Sequence, residues 1–287
     1  MLDQKIAFIG SGAMGEAMIS GLLGGKLAEP GSLLASDVSA KRVEDLHAKY
    51  GIQPFTDNRS AAAQAEVVIL SVKPQRLTEV LANLKGAVPA QALVLSIVAG
   101  APIAKLAGGL AHKAVVRSMP NTPAQIGEGI TVWIASPSVS TAQKETARTI
   151  LGALGDEVNV DDENYLDMAT ALSGTGPAYV FMFMEAMIDA GVHMGFSRKV
   201  SEQLVVQTLK GSVAYYQSLN EESSVHVAAL RNQVTSPGGT SAEALYYLEK
   251  AGFRTAISRA IWAAYQRSLE LGKEKPVHIP EKDGSSE

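Results

Sequence analysis

The chain contains no cysteine, which excludes disulfides, thiolate-held metals and a cysteine nucleophile. It has no basic surplus either: 25 lysines and arginines stand against 29 aspartates and glutamates, a net charge of -4. That balance speaks against a nucleic-acid partner, whose phosphates call for a positive face. No apolar run approaches the ~20 residues of a membrane-spanning helix. The start of the chain lacks the basic segment, apolar core and small-residue cleavage site of a secretory signal. A soluble, cytoplasmic protein is the expectation. The five histidines, His47, His112, His193, His226 and His278, have no metal-like spacing, so no metal is expected. What the chain does have is apolar residues, 46% of the total against 19% charged, enough to build a sizeable core. Its 287 residues suggest about two domains.

Residues Lys5 to Gly10, KIAFIG, form a short β-rich apolar run. It passes into Gly10-Ser11-Gly12-Ala13-Met14-Gly15 and then into EAMISGLLGG at helical spacing. G-x-G-x-x-G between a strand and a helix is a dinucleotide-binding fingerprint. Gly10 allows the tight turn, Gly12 lets a pyrophosphate approach the backbone, and Gly15 lets the helix pack closely on the strand. The free N–H groups at the helix start suit the phosphates, so Gly10, Ser11, Gly12, Ala13 and Met14 are the expected cofactor contacts. The next strand ends on Asp37, 22 residues past Gly15, close to the ~20 of a ribose-binding acid. Asp37 would accept from a 2′-hydroxyl and repel a 2′-phosphate. Ser36, Ser39, Lys41 and Arg42 pull toward the phosphate, so these residues leave NADH and NADPH both open.

Glu66 to Val72 and Ala92 to Gly100 are continuous apolar runs with a helical segment, Gln75 to Leu84, between them. Such runs suit parallel strands covered on both faces. KAVVRSMPN and GITVWIAS read as two more strands. Strand–helix alternation with right-handed crossovers makes an α/β fold, a doubly wound sheet of Rossmann type, with ligands beyond the strand C-termini. Two strand ends carry Ser71-Val72-Lys73-Pro74-Gln75 and Met119-Pro120-Asn121-Thr122-Pro123, where proline stops the strand. Lys73 and Asn121 are expected toward the nicotinamide end of the cofactor, with Val72 and Pro74 beside them.

Around Asp161 strand-like alternation ends. The expected organisation is a dinucleotide-binding domain over 1–161, an all-helical domain over 162–275 and a flexible tail over 276–287. The helical run from Asp167 is interrupted by Ser173-Gly174-Thr175-Gly176-Pro177, which must break or kink it. AYVFMFMEAM is apolar on nearly every side and is expected to be buried all round. A second subunit is expected to cover part of it, with Met182, Met184 and Met187 in core or interface packing.

The segment Ser236-Pro237-Gly238-Gly239-Thr240-Ser241 precedes a further helix. Thr240-x-x-Glu243 matches a capping box, which would make Thr240 the cap and leave the Ser241 hydroxyl free. The N–H groups of Gly238, Gly239 and Thr240, with the helix dipole, would form an anion site suited to a carboxylate.

FIGSGAMGEAM, SVKPQ, MPNTP, ALSGTGPAYVF and VTSPGGTSAEAL, in that order over residues 6–245, resemble the pyrroline-5-carboxylate reductase family. The resemblance implies a Rossmann domain followed by an all-helical domain that dimerises by interleaving helices, often within a larger ring of dimers. It implies NAD(P)H as cofactor, with NADPH favoured because family members often use it, and (S)-1-pyrroline-5-carboxylate as substrate. The family's substrate loop falls on Ser236, Pro237, Gly238, Gly239, Thr240 and Ser241, whose amides would hold the substrate carboxylate. Ser241 stands where the family commonly has threonine, the hydroxyl that contacts the ring nitrogen, so Ser241 and its neighbour Thr240 are the catalytic candidates. Asp37 stands where many members have a small polar residue. A reductase of other cyclic imines is the alternative. A β-hydroxyacid dehydrogenase would need a lysine in SGTGPAYVFMFMEAM, which has none.

Overall fold

A run in which every residue is apolar needs cover on both faces, and the computed structural model, which describes residues 1–220 and 224–273, places such runs at the centre of a sheet. Its strands are β1 (Ile6–Ile9), β2 (Leu33–Ser36), β3 (Gln53–Phe55), β4 (Val67–Leu70), β5 (Leu93–Ser96), β6 (Val115–Met119), β7 (Gly129–Ala135) and β8 (Gly155–Asn159). The order is β3-β2-β1-β4-β5-β6-β7-β8. β1, β2, β4 and β5 are buried at every position. The chain grows outward from β1 on one side, then returns to β4 on the other. The crevice between the ends of β1 and β4 is therefore a topological switch point, where doubly wound sheets bind ligands.

Helices cover both faces. They are α1 (Ala13–Gly24), α2 (Ala40–Tyr50), α3 (Asn58–Ala62), α4 (Leu77–Leu84), α5 (Ile103–Leu110), α6 (Thr141–Gly152) and α7 (Asn164–Ala169). Because strand side chains alternate, Ile6, Phe8, Val67 and Ile69 pack with Met18, Leu22, Leu46 and Ile150 of α1, α2 and α6. Ala7, Ile9, Val68 and Leu70 pack with Leu77, Leu81, Leu84 and Leu106 of α4 and α5 on the other face.

Two features of the sheet depart from the sequence reading. β7 runs antiparallel to β6, because only the short 3₁₀ segment Thr122–Ile126 joins them and a parallel return needs a crossover of a dozen or more residues. β3 and β8, QPF and GDEVN, carry no apolar run by which to read them. They are the edge strands, where proline and charge are tolerated. Compactness divides the chain as follows. The compact units are residues 1–175 with the stretch from Ala264, and Gly176–Ala263, so the first continues past residue 161. The reason is a buried polar knot. Arg117 of β6, 4% exposed, donates to Glu163 (3.0 Å) and Asp167 (3.4 Å). Ser268 Oγ donates to Asp167 Oδ1 (2.6 Å). The expected tail, 276–287, lies outside the described residues.

After α7 the helix widens into a π turn, Thr170–Gly174, at the break expected from the glycines and proline. A Cβ at Gly174 would come 2.9 Å from Met119 Cε, so a larger residue here would push the end of that flexible side chain aside.

The second unit is helical: α8 (Gly176–His193), α9 (Arg198–Asn220), α10 (Val227–Gln233), α11 (Thr240–Lys250) and the first half of α12 (Phe253–Lys273). α8 and α9 approach closely at Gly191, where a Cβ would lie 2.6 Å from Ser201 Oγ. Phe183 and Phe253 rings pack at 6.1 Å. The expectation that α8 be buried all round is not met within one protomer, where Met182 is 74% and Phe181 60% exposed. An all-apolar helix specifies that it be covered, not by which chain.

Candidate active site

The glycine-rich turn is built as its spacing demands. Gly10 has φ +85°, and a Cβ there would meet Val72 Cγ1 at 2.7 Å and the Ser71 carbonyl at 3.0 Å. A Cβ at Gly15 would lie 2.8 Å from the Gly10 carbonyl oxygen. Around a Cβ at Gly12, by contrast, there is nothing within 4 Å: the position is open to a ligand. Gly12 caps α1, and the first i to i−4 bond is Glu16 N–H to the Gly12 carbonyl (2.9 Å). The amides of Gly12, Ala13, Met14 and Gly15 therefore have no intrahelical acceptor. Ser71 Oγ donates to the Gly10 carbonyl (2.5 Å) and ties the ends of β1 and β4 together.

A cleft of about 520 Å³ opens beside this turn, lined by Gly10, Gly12, Asp37, Asn58, Val72 and Lys73, among others. Asp37 follows β2, and its carboxylate accepts Ser11 N–H (3.0 Å) and Ser39 N–H (3.0 Å). Ser11 and Ser36 are both fully buried. Their hydroxyls donate to the Ser36 carbonyl (3.2 Å) and to Asn58 Oδ1 (2.8 Å) respectively, so neither hydroxyl is available to a cofactor. Lys73 is exposed at the rim, and Pro74 opens the 3₁₀ turn behind it. Asn121, beyond β6, accepts Ile130 N–H at its side-chain oxygen (3.0 Å) and fixes the turn into β7. Its amide nitrogen is left for other partners. The sequence reading did not find Thr56, Asp57 and Asn58, which also line the cleft. They lie between the unread edge strand β3 and the start of α3 and carry no motif.

Beneath the turn, Arg42 donates to the Ser11 carbonyl (2.7 Å), the Gly12 carbonyl (3.3 Å) and Glu16 (2.6 Å). Glu16 also accepts from Lys49 (2.8 Å) and Tyr50 (3.0 Å). The Lys49 hydrogen bond is the strongest influence on the Glu16 carboxyl. Burial opposes it, Arg42 and Tyr50 reinforce it, and the carboxyl is lowered to about 2. A carboxyl held below its ordinary 4.5 stabilises the fold above that value, and this contribution is lost as the pH falls toward 2. The melting temperature of the native protein is therefore expected to fall more steeply between about pH 5 and pH 2 than that of Glu16→Gln. Parallel curves for the two proteins would refute the assignment.

In the second unit, the loop before α11 differs from the capping-box expectation. Ser236 to Gly239 form a turn with Pro237 second, Gly238 third at φ +69°, and Gly239 N–H donating to the Ser236 carbonyl (3.1 Å). This is the residue pattern of a type II turn. The turn ends on Gly239, which becomes the N-cap without any side-chain bond. Thr240 is thus the first helical residue, not the cap, and Glu243 does not reach back. The anion site moves accordingly. Gly239 N–H is spent on the turn, while Thr240, Ser241 and Ala242 N–H groups lack intrahelical acceptors, since Glu243 N–H makes the first such bond (3.2 Å). Both hydroxyls are left over, Thr240 exposed and Ser241 half-buried.

Among the described residues there is no group of three or more potential metal ligands and no helix long and apolar enough to cross a membrane.

Residues 163–271 match the model for pyrroline-5-carboxylate reductase dimerisation, and residues 5–100 the model described as NADP oxidoreductase coenzyme F420-dependent. The dimerisation match fits a homo-oligomer. The chain is 40% identical over 269 residues to the pyrroline-5-carboxylate reductase of a Synechocystis species, covering 94% of this chain and 98% of that one. It is 40% identical over 275 residues to the reductase of Pseudomonas aeruginosa, covering 96% and 99%. The crystal structure of Plasmodium falciparum pyrroline carboxylate reductase with NADP bound superposes with a TM-score of 0.85 at 33% identity, over 95% of this chain and 99% of that one. With both halves matched and the relatives covered nearly end to end, the chain belongs to the pyrroline-5-carboxylate reductase family.

Proposed function

We propose that the chain reduces (S)-1-pyrroline-5-carboxylate to L-proline with NAD(P)H, the last step of proline biosynthesis. The observation that carries the reading is near-complete coverage of reductases at 40% identity. A bound NAD(P)H supplies the hydride. Gly12, Ala13, Met14 and Gly15 amides would hold its pyrophosphate, Asp37 its adenosine ribose, and Val72, Lys73, Pro74 and Asn121 would border the remainder.

The substrate is a cyclic imine bearing a carboxylate. As C5 gains hydride, the C=N electron pair moves onto nitrogen, which ends protonated. A protonated iminium is already electrophilic, so the protein's main task is positioning. The carboxylate lies on the Thr240, Ser241 and Ala242 amides at the positive end of α11. The turn from Ser236 to Gly239 fixes how the helix presents them. Ser241, or its neighbour Thr240, bonds the ring nitrogen and steers the proton there. Residues 1–161 serve as the dinucleotide domain and 162–275 as the dimerisation and substrate domain. Exposed Phe181 and Met182 are covered by a second copy through interleaved helices, in dimers that assemble further into a ring, in the cytoplasm.

The test is initial-rate kinetics with pyrroline-5-carboxylate against a panel of other cyclic imines, with NADH and NADPH in turn. Absence of pyrroline-5-carboxylate-dependent oxidation overturns the reading, and faster turnover of another imine reassigns the substrate. Ser241→Ala is expected to lower kcat about tenfold, the equivalent of one ~1.4 kcal/mol hydrogen bond, with dinucleotide affinity unchanged. If Thr240→Ala takes that loss and Ser241→Ala does not, the nitrogen contact belongs to Thr240.

A further inference from the structure

We propose that this chain prefers NADH to NADPH, and that Asp37 sets the preference. The inference rests on the reading of the cleft as a dinucleotide site. Asp37 follows β2, where doubly wound folds place the adenosine ribose. Its carboxylate is pinned by two backbone amides, Ser11 N–H and Ser39 N–H, each at 3.0 Å. It cannot swing away from an incoming charge without losing both bonds. A carboxylate has about four acceptor sites, so it keeps capacity for a ribose hydroxyl.

Two of the side chains suited to a 2′-phosphate are engaged elsewhere. Ser36 is fully buried, with its hydroxyl on Asn58. Arg42 is clamped to Glu16 and to the Ser11 and Gly12 carbonyls. Val38, next after Asp37 and 83% exposed, has no side-chain donor. Ser39 caps α2 by accepting Arg42 N–H (3.3 Å), which leaves its hydroxyl proton, the Ala40 and Lys41 amides at the start of α2 and the exposed Lys41 ammonium as the nearby donors. A mobile surface ammonium facing water contributes little. Past the neighbouring edge strand, Asp57, the N-cap of α3, adds a second carboxylate to the same lining. Hydrogen bonds from Ser60 hold it below the ordinary carboxyl range. Lys73 and Arg76 line the cleft from the β4 side, but Arg76 is paired with Glu79 (3.0 Å). A 2′-phosphate, with a charge of about -1.5 to -2, would therefore meet a fixed carboxylate where a 2′-hydroxyl meets an acceptor.

The test titrates the full chain with NADH and with NADPH in the absence of imine, following nicotinamide fluorescence. ADP and adenosine 2′,5′-bisphosphate serve as competitors. NADH is expected to bind at least about tenfold more tightly than NADPH, and the bisphosphate to compete less well than ADP. Asp37→Ser should bring the two dinucleotides within about threefold by strengthening NADPH, and Asp37→Asn, closer in shape, should shift the ratio the same way. Equal or tighter NADPH binding by the native protein overturns the proposal, as does an unchanged ratio in both variants. Failure of both dinucleotides to bind would instead overturn the functional reading on which it rests.

Discussion

Gly12→Val is expected to leave the fold standing and to weaken NADH and NADPH binding by about 100-fold or more, some 2.7 kcal/mol. The two halves of this expectation come from different facts. Gly12 has φ -68° and ψ -163°, which a residue with a side chain tolerates, and its Cβ position is free of neighbours within 4 Å. No strain or overlap follows from the change. In the proposed cofactor site the same empty space admits a pyrophosphate to the α1 amides, and an isopropyl group there would hold the phosphates off. Gly10→Ala and Gly15→Ala differ in kind. Gly10 stands at φ +85°, and a Gly15 Cβ would press on the Gly10 carbonyl at 2.8 Å, so both changes strike the fold before the ligand, by about 1–3 kcal/mol. A thermal melt with a dinucleotide titration separates the cases. Undiminished affinity in Gly12→Val would remove the glycine-rich turn from the cofactor site.

Arg117→Met is expected to destabilise the protein by about 3–5 kcal/mol, because it leaves buried carboxylate without its counter-charge. Arg117 is 4% and Asp167 9% exposed. Removing the guanidinium leaves Asp167 with the Ser268 hydroxyl at 2.6 Å and releases Glu163, which also accepts Ile103 N–H (2.8 Å). Adding Asp167→Leu should recover much of the loss, since replacing both members of a buried pair is often close to neutral. Urea unfolding at one fixed protomer concentration measures both effects, concentration being held because an oligomer's stability depends on it. A loss below about 1 kcal/mol in the single variant would show that the knot is solvated in solution.

Local features carried much of this in the sequence. KIAFIG followed by glycines at Gly10, Gly12 and Gly15 dictates a strand, a tight turn and a closely packed helix, and the β1–α1 geometry has each. Ser173 to Pro177 announced an interruption, and the π turn at Thr170–Gly174 lies there. The cap of α11 was misread. Thr240 and Glu243 satisfy a spacing rule, but the turn closed by Gly239 N–H on the Ser236 carbonyl claims the cap position one residue earlier. Two local motifs overlapped, and the turn closed by a backbone–backbone bond formed in place of the side-chain cap.

The amino-acid order by itself determined the fully buried strands, the tight turn at Gly10 with the helix after it, and that α8 needs cover. Those are properties of neighbours along the chain, set by periodicity and by the φ that glycine and proline allow. Only the tertiary structure decided where the long side chains go. Arg42, free in the sequence to seek a phosphate, is turned under the loop by Glu16, 26 residues away. Asp167 meets Ser268 across 101 residues. Charged and polar groups take their meaning from whatever packing brings within 3 Å of them, and no spacing along the chain encodes that.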